Sequence, residues 1–160
     1  HRDGILELWV VPADMSDGLH RRMADESRRF MRECGYRGIL AIEYFVKDDE
    51  VYFNEMAPRP HNSGHYTIEG CSTNQFRELV RFLAGMPLEE PRLTAPTVMK
   101  NILGQDLAAA ETVAGEAHEG VYVHIYGKTE SRPKRKMGHI TMVGTDLSRY
   151  EKEWAGRFVR

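Results

Sequence analysis

At 160 residues and 41% hydrophobic content, the chain is long enough for one compact domain or two small ones, with the make-up of an ordinary globular protein. A formal net charge of −2 excludes a global bias toward nucleic acid or anionic membranes, and no apolar run approaches the roughly 20 residues that span a bilayer. Cys34 and Cys71 are the two thiols and form no Cys-x-x-Cys pair, which reads as a reduced, cytoplasmic setting with free, buried cysteines.

The chain opens on His1-Arg2-Asp3-Gly4-Ile5, with no methionine and no signal-peptide pattern. Residues 4–11 read as a strand stopped by Pro12. Ser16 caps a helix running to Cys34, with Leu19, Met23, Phe30 and Cys34 on its inner face and Gly35 as its stop. Residues 38–46 and 51–57 read as two strands around the charged turn Lys47-Asp48-Asp49-Glu50. Ser72 and Gln75 have capping-box spacing and open a helix with Phe76, Leu79, Val80 and Leu83 on one face, ended by Gly85. Pro87, Pro91 and Pro96 mark a boundary that divides 1–90 from 91–160. Beyond it, 97–103, 120–126 and 137–143 read as strands, 106–117 as a short helix or a loop, and 146–160 as a helix still running at its end. Both edges therefore read as cut, and the expectation is a piece of a longer protein. The order predicts an α+β fold: helices and strands in the first half, then a small β-rich unit closed by a helix.

Chemistry concentrates in the run Asn54-Glu55-Met56-Ala57-Pro58-Arg59-Pro60-His61-Asn62-Ser63-Gly64-His65 and in Glu43 one strand earlier. So many polar groups in a core strand would carry a heavy desolvation cost. If Lys47 pairs with Val51 across a three-residue Asp48-Asp49-Glu50 loop, Phe45 faces Phe53 and Glu43 faces Glu55. Opposed carboxylates with Cβ atoms about 4.5–5.5 Å apart repel. A shared proton or a divalent cation offsets that repulsion, and oxygen ligands suit magnesium or manganese. The alternative is a register shifted by one, with one glutamate in solvent. Paired acids also serve glycoside hydrolysis, but Arg59 and His61 beside them favour an anion, because the Arg fork matches carboxylate, bicarbonate or phosphate. His61 and His65 flank a loop, and nothing completes a tetrahedral zinc set. His1, His20, His118 and His124 read as surface or packing residues; His139 is ambiguous.

A second polar cluster, Lys128 to Lys136, carries five basic residues between two strands. It reads as a solvated turn, as a localisation or nucleic-acid patch lacking the interleaved aromatics such patches use, or as a phosphate clamp in which Lys128 and Arg135 enter from either side.

With both clusters in view, the chain resembles the ATP-grasp 5-(carboxyamino)imidazole ribonucleotide synthases of purine biosynthesis over essentially its whole length. The resemblance rests on HRDGIL (1–6), AIEYFV (41–46), NEMAPRPHNSGHYTIEGCSTNQFR (54–77), VMKNILG (98–104) and HIYGKTESRPKRKMGHI (124–140). It implies the second half of an ATP-grasp domain, an antiparallel sheet with helices, followed by a small β-rich domain. It implies a ligase that joins ATP, bicarbonate and aminoimidazole ribonucleotide through carboxyphosphate. Glu43 and Glu55 would hold magnesium on the ATP phosphates. Arg59, His61 and Asn62 would hold bicarbonate and carboxyphosphate, and Lys128 and Arg135 the ribonucleotide phosphate. The family's first domain and adenine-gripping lid have no counterpart here, so the piece alone is expected to be inactive. A homodimer is the expected state of the intact protein. The rivals are a formate-using glycinamide ribonucleotide transformylase and a non-catalytic binding module.

Overall fold

The structure, a computed structural model, describes residues 4–158. Its elements in chain order are β1 (Leu8–Val11), α1 (Asp17–Glu33), β2 (Ala41–Lys47), β3 (Glu50–Ala57), a 3-10 turn (Asn62–Gly64), α2 (Thr67–Gly70), α3 (Gln75–Leu83), β4 (Thr97–Leu103), a 3-10 turn (Gly104–Asp106), α4 (Leu107–Glu116), β5 (Val121–Ile125), β6 (Lys136–Val143), α5 (Leu147–Glu153) and a 3-10 turn (Ala155–Arg157). The fold is mixed α+β with antiparallel sheets, as the sequence predicts. The alanine-rich stretch, open between helix and loop, is a helix. The chain forms two compact units: residues 13–65 with 73–90, and residues 4–12 with 66–72 and 91–158.

In the first unit, Ser16 Oγ accepts from the Leu19 amide at 3.3 Å and starts α1. Leu19 is buried and Met23 and Phe30 are half-buried, but Cys34 is exposed. The last helical residue is Glu33, and the turn at Gly35 (φ +62°) carries Cys34 off the apolar stripe. Cys71 is half-buried. The hairpin of β2 and β3 corrects the predicted turn. Asp48 and Asp49 alone form it, both left-handed (φ 52° and 60°), as a type I′ hairpin turn requires. Lys47 then pairs with Glu50, Phe45 with Tyr52 and Tyr44 with Phe53. A bulge follows, with Asn54 the extra residue, and beyond it Glu43 faces Glu55. The bulge restores the residue that the shorter turn removes, so the acid pair forms by a different route.

The cap of α3 is Asn74, not Ser72: its Oδ1 accepts from the amides of Phe76 and Arg77 at 3.1 and 3.0 Å. Phe76, Val80 and Leu83, predicted to pack, are exposed, and Leu79 is half-buried. What α3 buries is Glu78, whose carboxylate accepts from Thr73 Oγ1 at 2.5 Å and from the Glu89 amide at 2.9 Å. The Thr73 hydroxyl, and then the Glu89 amide, hold the Glu78 carboxyl below the usual glutamate range. A depressed folded value means that its stabilisation is full above the ordinary glutamate value of ~4.3 and is lost as pH falls through the lower folded value. Glu78→Gln is therefore expected to lower the melting temperature at neutral pH, with the gap to the parent closing on acidification. Parallel melting curves down the pH scale check this, and a gap that stays constant would contradict it.

In the second unit, the sheet order is β1-β4-β6-β5, antiparallel throughout. The first strand is shorter than its predicted 4–11 span and lies against β4, with Leu8 opposite Lys100. On one face Val98, Ile102, Ile140 and Met142 pack under Ala110 and Val113 of α4 and Tyr150 of α5. The predicted terminal helix stops at Glu153, and the chain then turns to bury Trp154 and Phe158 in the same core. The other face is mixed: Thr97, Asn101, His139 and Thr141 are buried there beside Met99. Gly70 of α2 packs against Thr97, where an added Cβ would stand 2.9 Å from Oγ1. His20 is exposed, and His118 meets Trp154 edge-on at 5.0 Å. His1 lies outside the described residues.

Candidate functional site

The bulge directs Asn54 and Glu55 to the side of the hairpin that carries Glu43. Asn54 Nδ2 donates to Glu43 Oε2 at 3.3 Å. His61, just beyond β3, stands between the two acids: Nδ1 is 3.7 Å from Glu43 Oε1, and Nε2 is 3.2 Å from Glu55 Oε1. One donor atom from each of Glu43, Glu55 and His61 lies within 4.8 Å of the others. The carboxylate oxygens thus converge on one side of the sheet, and the shifted-register alternative is not the one formed. Glu43 and His61 are largely buried, with side chains 18% and 14% exposed, whereas Glu55 is 57% exposed. Two carboxylates with a carboxamide behind one of them make a donor set suited to a hard divalent cation.

His61 is held by its own loop. Its Nδ1 accepts from the Ser63 amide at 3.4 Å and lies 2.9 Å from Ser63 Oγ, which leaves the Nε2 proton facing Glu55. Its backbone is gripped twice by Gln75: the His61 amide donates to Oε1, and Nε2 donates to the His61 carbonyl, both at 2.8 Å. The same amide group lies 2.8 Å from His65 Nδ1, and the His65 ring stacks on Phe76 at 5.5 Å. Gly64 makes room for this: a Cβ there would stand 2.7 Å from Gln75 Oε1. Sequence reading missed Gln75 as an anchor because its spacing from Ser72 explained it as a cap. Asn62 opens the 3-10 turn directly after His61. Arg59 is exposed and donates to the Pro60 carbonyl at 3.0 Å, so the structure does not place its guanidinium with the acid–imidazole cluster.

In the other unit the basic segment joins β5 to β6, the hairpin-like placement the sequence predicts. It is docked rather than loose. Ser131 Oγ donates to the Gly104 carbonyl at 3.2 Å, and the Lys134 amide, at a left-handed φ of 65°, donates to Gln105 Oε1 at 3.0 Å. Lys128 Nζ donates to the Lys136 carbonyl at 2.6 Å, and Arg135 donates to the Glu130 carbonyl at 2.9 Å. Lys128 and Arg135 thus stand exposed at the two ends of one ordered loop.

Residues 1–76 match the ATP-grasp domain family, and residues 97–153 match the phosphoribosylaminoimidazole carboxylase C-terminal domain family. The N5-carboxyaminoimidazole ribonucleotide synthase of Staphylococcus saprophyticus is 36% identical over 160 residues, covering 99% of this chain and 42% of that protein. The crystal structure of N5-carboxyaminoimidazole synthetase from Staphylococcus aureus complexed with ADP superposes with a TM-score of 0.87 at 35% identity, over 98% of this chain and 43% of that one. The Aspergillus clavatus N5-carboxyaminoimidazole synthase in complex with ADP and 5-aminoimidazole ribonucleotide superposes with a TM-score of 0.83 at 31% identity, over 98% of this chain and 44% of that one. Among the described residues, no helix is long and apolar enough to cross a membrane. The chain spans well under half the length of these relatives, and within that span it belongs to the family of N5-carboxyaminoimidazole ribonucleotide synthases.

Proposed function

We propose that this chain supplies the metal-holding hairpin, the anion loop and the ribonucleotide-phosphate loop of an ATP-dependent ligase that carboxylates aminoimidazole ribonucleotide. The observation that carries the reading is the convergence of Glu43, Glu55 and His61 on one side of a bulged hairpin. Glu43 and Glu55 would hold magnesium, or manganese, which when bound offsets the negative charge of the ATP phosphates. A bicarbonate oxygen attacks the γ-phosphorus, the bond to the bridging oxygen breaks, and ADP leaves with that electron pair. The carboxyphosphate so formed releases carbon dioxide and phosphate. The exocyclic amine of the ribonucleotide attacks the carbon dioxide and loses a proton, giving the carbamate. His61 is suited to hold the bicarbonate end of that path, because its Nε2 carries a proton and its ring is fixed by Ser63 and Gln75. Asn62, next in chain, and the exposed Arg59 would supply further donors to the same anion. Lys128 and Arg135 bind the ribonucleotide phosphate. The expected setting is cytoplasmic and the expected assembly a homodimer. Residues 1–90 would belong to the ATP-binding half and 91–160 to the small carboxyl-terminal domain.

The test uses the chain as it is and a chimera in which it replaces the matching part of the Staphylococcus aureus relative. The 160-residue chain alone is expected to show no turnover. The chimera is expected to release phosphate from ATP only with bicarbonate and aminoimidazole ribonucleotide together. Turnover with formate and glycinamide ribonucleotide instead would support the transformylase reading, and strong salt-sensitive binding of duplex DNA the binding-module reading. In the same chimera, Arg135→Ala is expected to raise KM for the ribonucleotide about tenfold or more, the worth of a charge-assisted contact, and to leave KM for ATP unchanged. Equal loss of both affinities would remove the role given to Arg135.

A further inference from the structure

The face of the second unit's sheet that holds Asn101 and Thr141 also carries a chain of polar side chains that the reaction above does not use. Glu69 on α2 accepts from His124 Nε2 at 2.7 Å. The His124 ring lies flat on His139, with centroids 4.4 Å apart and planes within 13°. His139, only 2% exposed, is hydrogen bonded through Nδ1 to the Tyr126 hydroxyl at 2.9 Å. The Tyr126 ring in turn lies beneath the Lys128 ammonium, 5.5 Å from centroid to Nζ. Cross-strand register explains the order: His124 pairs with His139, and Tyr126 continues the β5 face by one more alternation.

A partly buried polar network of this kind fixes the positions of its members when its links hold. Here the link that emerges from the sheet is a tyrosine ring, and what it fixes is a cation. A lysine side chain carries rotamer entropy that binding must otherwise remove. Lys128 is restrained from two sides: its ammonium donates to the Lys136 carbonyl at 2.6 Å and rests over an aromatic face. One of its three donors is thus used, and the rest remain for an anion.

We infer that Tyr126, His139, His124 and Glu69 are positioning residues that hold Lys128 in its phosphate-binding pose. The inference rests on the reading that Lys128 grips the ribonucleotide phosphate. Glu69 anchors His124, the imidazole stack seats His139, and His139 holds the Tyr126 hydroxyl and so sets the tilt of the ring under Lys128. None of the four is asked to touch substrate.

The probe is ribose 5-phosphate, titrated against the 160-residue chain and followed through the amide signals of residues 127–135. Lys128→Ala is expected to weaken binding about tenfold or more. Tyr126→Phe keeps the ring and removes its link to His139; it is expected to weaken binding measurably, by at most the about two- to fivefold that a whole exposed cation–π contact is worth. His139→Leu is expected to do the same. It replaces a buried group, so the conservative and half-exposed Tyr126→Phe is the deciding variant if His139→Leu fails to fold. In the Lys128→Ala background, Tyr126→Phe is expected to have no further effect, because its action passes through Lys128. A Tyr126→Phe loss that is the same with and without Lys128, or no loss at all beside a clear Lys128→Ala effect, would overturn the positioning role and leave the phosphate reading standing. No effect of Lys128→Ala, or no binding by the parent chain, would overturn both.

Discussion

Replacing Glu43 by glutamine in the chimera is expected to lower turnover about 100-fold or more, the loss of a few kcal/mol of stabilisation at the transferring phosphoryl group. Glu43 is the more enclosed member of the acid pair and is steadied by Asn54, so its carboxamide replacement has little room to recruit water as a substitute. Glu55, on the same side but largely exposed, should behave differently. Glu55→Gln is expected to depress the rate less, and excess magnesium should recover part of it, because a hydrated ion can replace an exposed ligand by a water. The 160-residue chain gives a second readout without chemistry. A divalent ion bound only by the folded state raises its melting temperature by mass action, and either substitution should shrink that rise. Magnesium and manganese titrations of parent and variants, followed by thermal melting and by phosphate release, check both parts. If Glu43→Gln turned over at the parent rate, the two acids would not hold the reaction's cation.

The acid pair was legible because facing carboxylates demand an explanation whatever the turn. The turn itself was not. A three-residue loop without a bulge and a two-residue loop with one both bring Glu43 opposite Glu55, and pattern alone does not separate them. What separates them is the ability of Asp48 and Asp49 to take up left-handed φ together. Helix α3 shows a different limit. The spacing of Phe76, Val80 and Leu83 is a true amphipathic signal, yet those side chains are exposed in this chain and Glu78 is buried instead. Periodicity tells that a face seeks a partner, not that the partner is present. Arg59 marks a third limit. Composition places a guanidinium near an anion site, whereas the backbone turns at Pro58 and Pro60 decide where it stands, and its own bond goes to the Pro60 carbonyl. The basic loop was legible as charge but not as a docked object, since its fasteners are Gly104 and Gln105, far away in sequence and unremarkable in type.

That docking makes Gly104→Ala the most damaging small change expected in the second unit. A Cβ at position 104 would stand 2.1 Å from the Arg132 carbonyl oxygen and 2.6 Å from its carbon, both backbone atoms that cannot rotate aside. One side of the clash must shift. β4 is buried from Thr97 to Leu103 and paired on both edges, so it will hold. The loop is exposed, is fastened there by the Ser131 and Lys134 hydrogen bonds, and will yield. Overpacking of this kind costs about 1–3 kcal/mol, and part of it should appear as a lower melting temperature. The larger effect is expected in the proposed binding of the ribonucleotide phosphate. With the loop lifted, Lys128 and Arg135 would be displaced, and the proposed two-point grip on one phosphate would be lost. In the chimera, KM for aminoimidazole ribonucleotide is expected to rise more than tenfold, the scale of one charge-assisted contact or more, while KM for ATP stays near the parent value. Ser131→Ala, which removes one fastener and adds no clash, should produce a smaller rise in the same direction. If Gly104→Ala left the ribonucleotide KM unchanged in a protein that still folds, the docked geometry of the loop would have no part in binding.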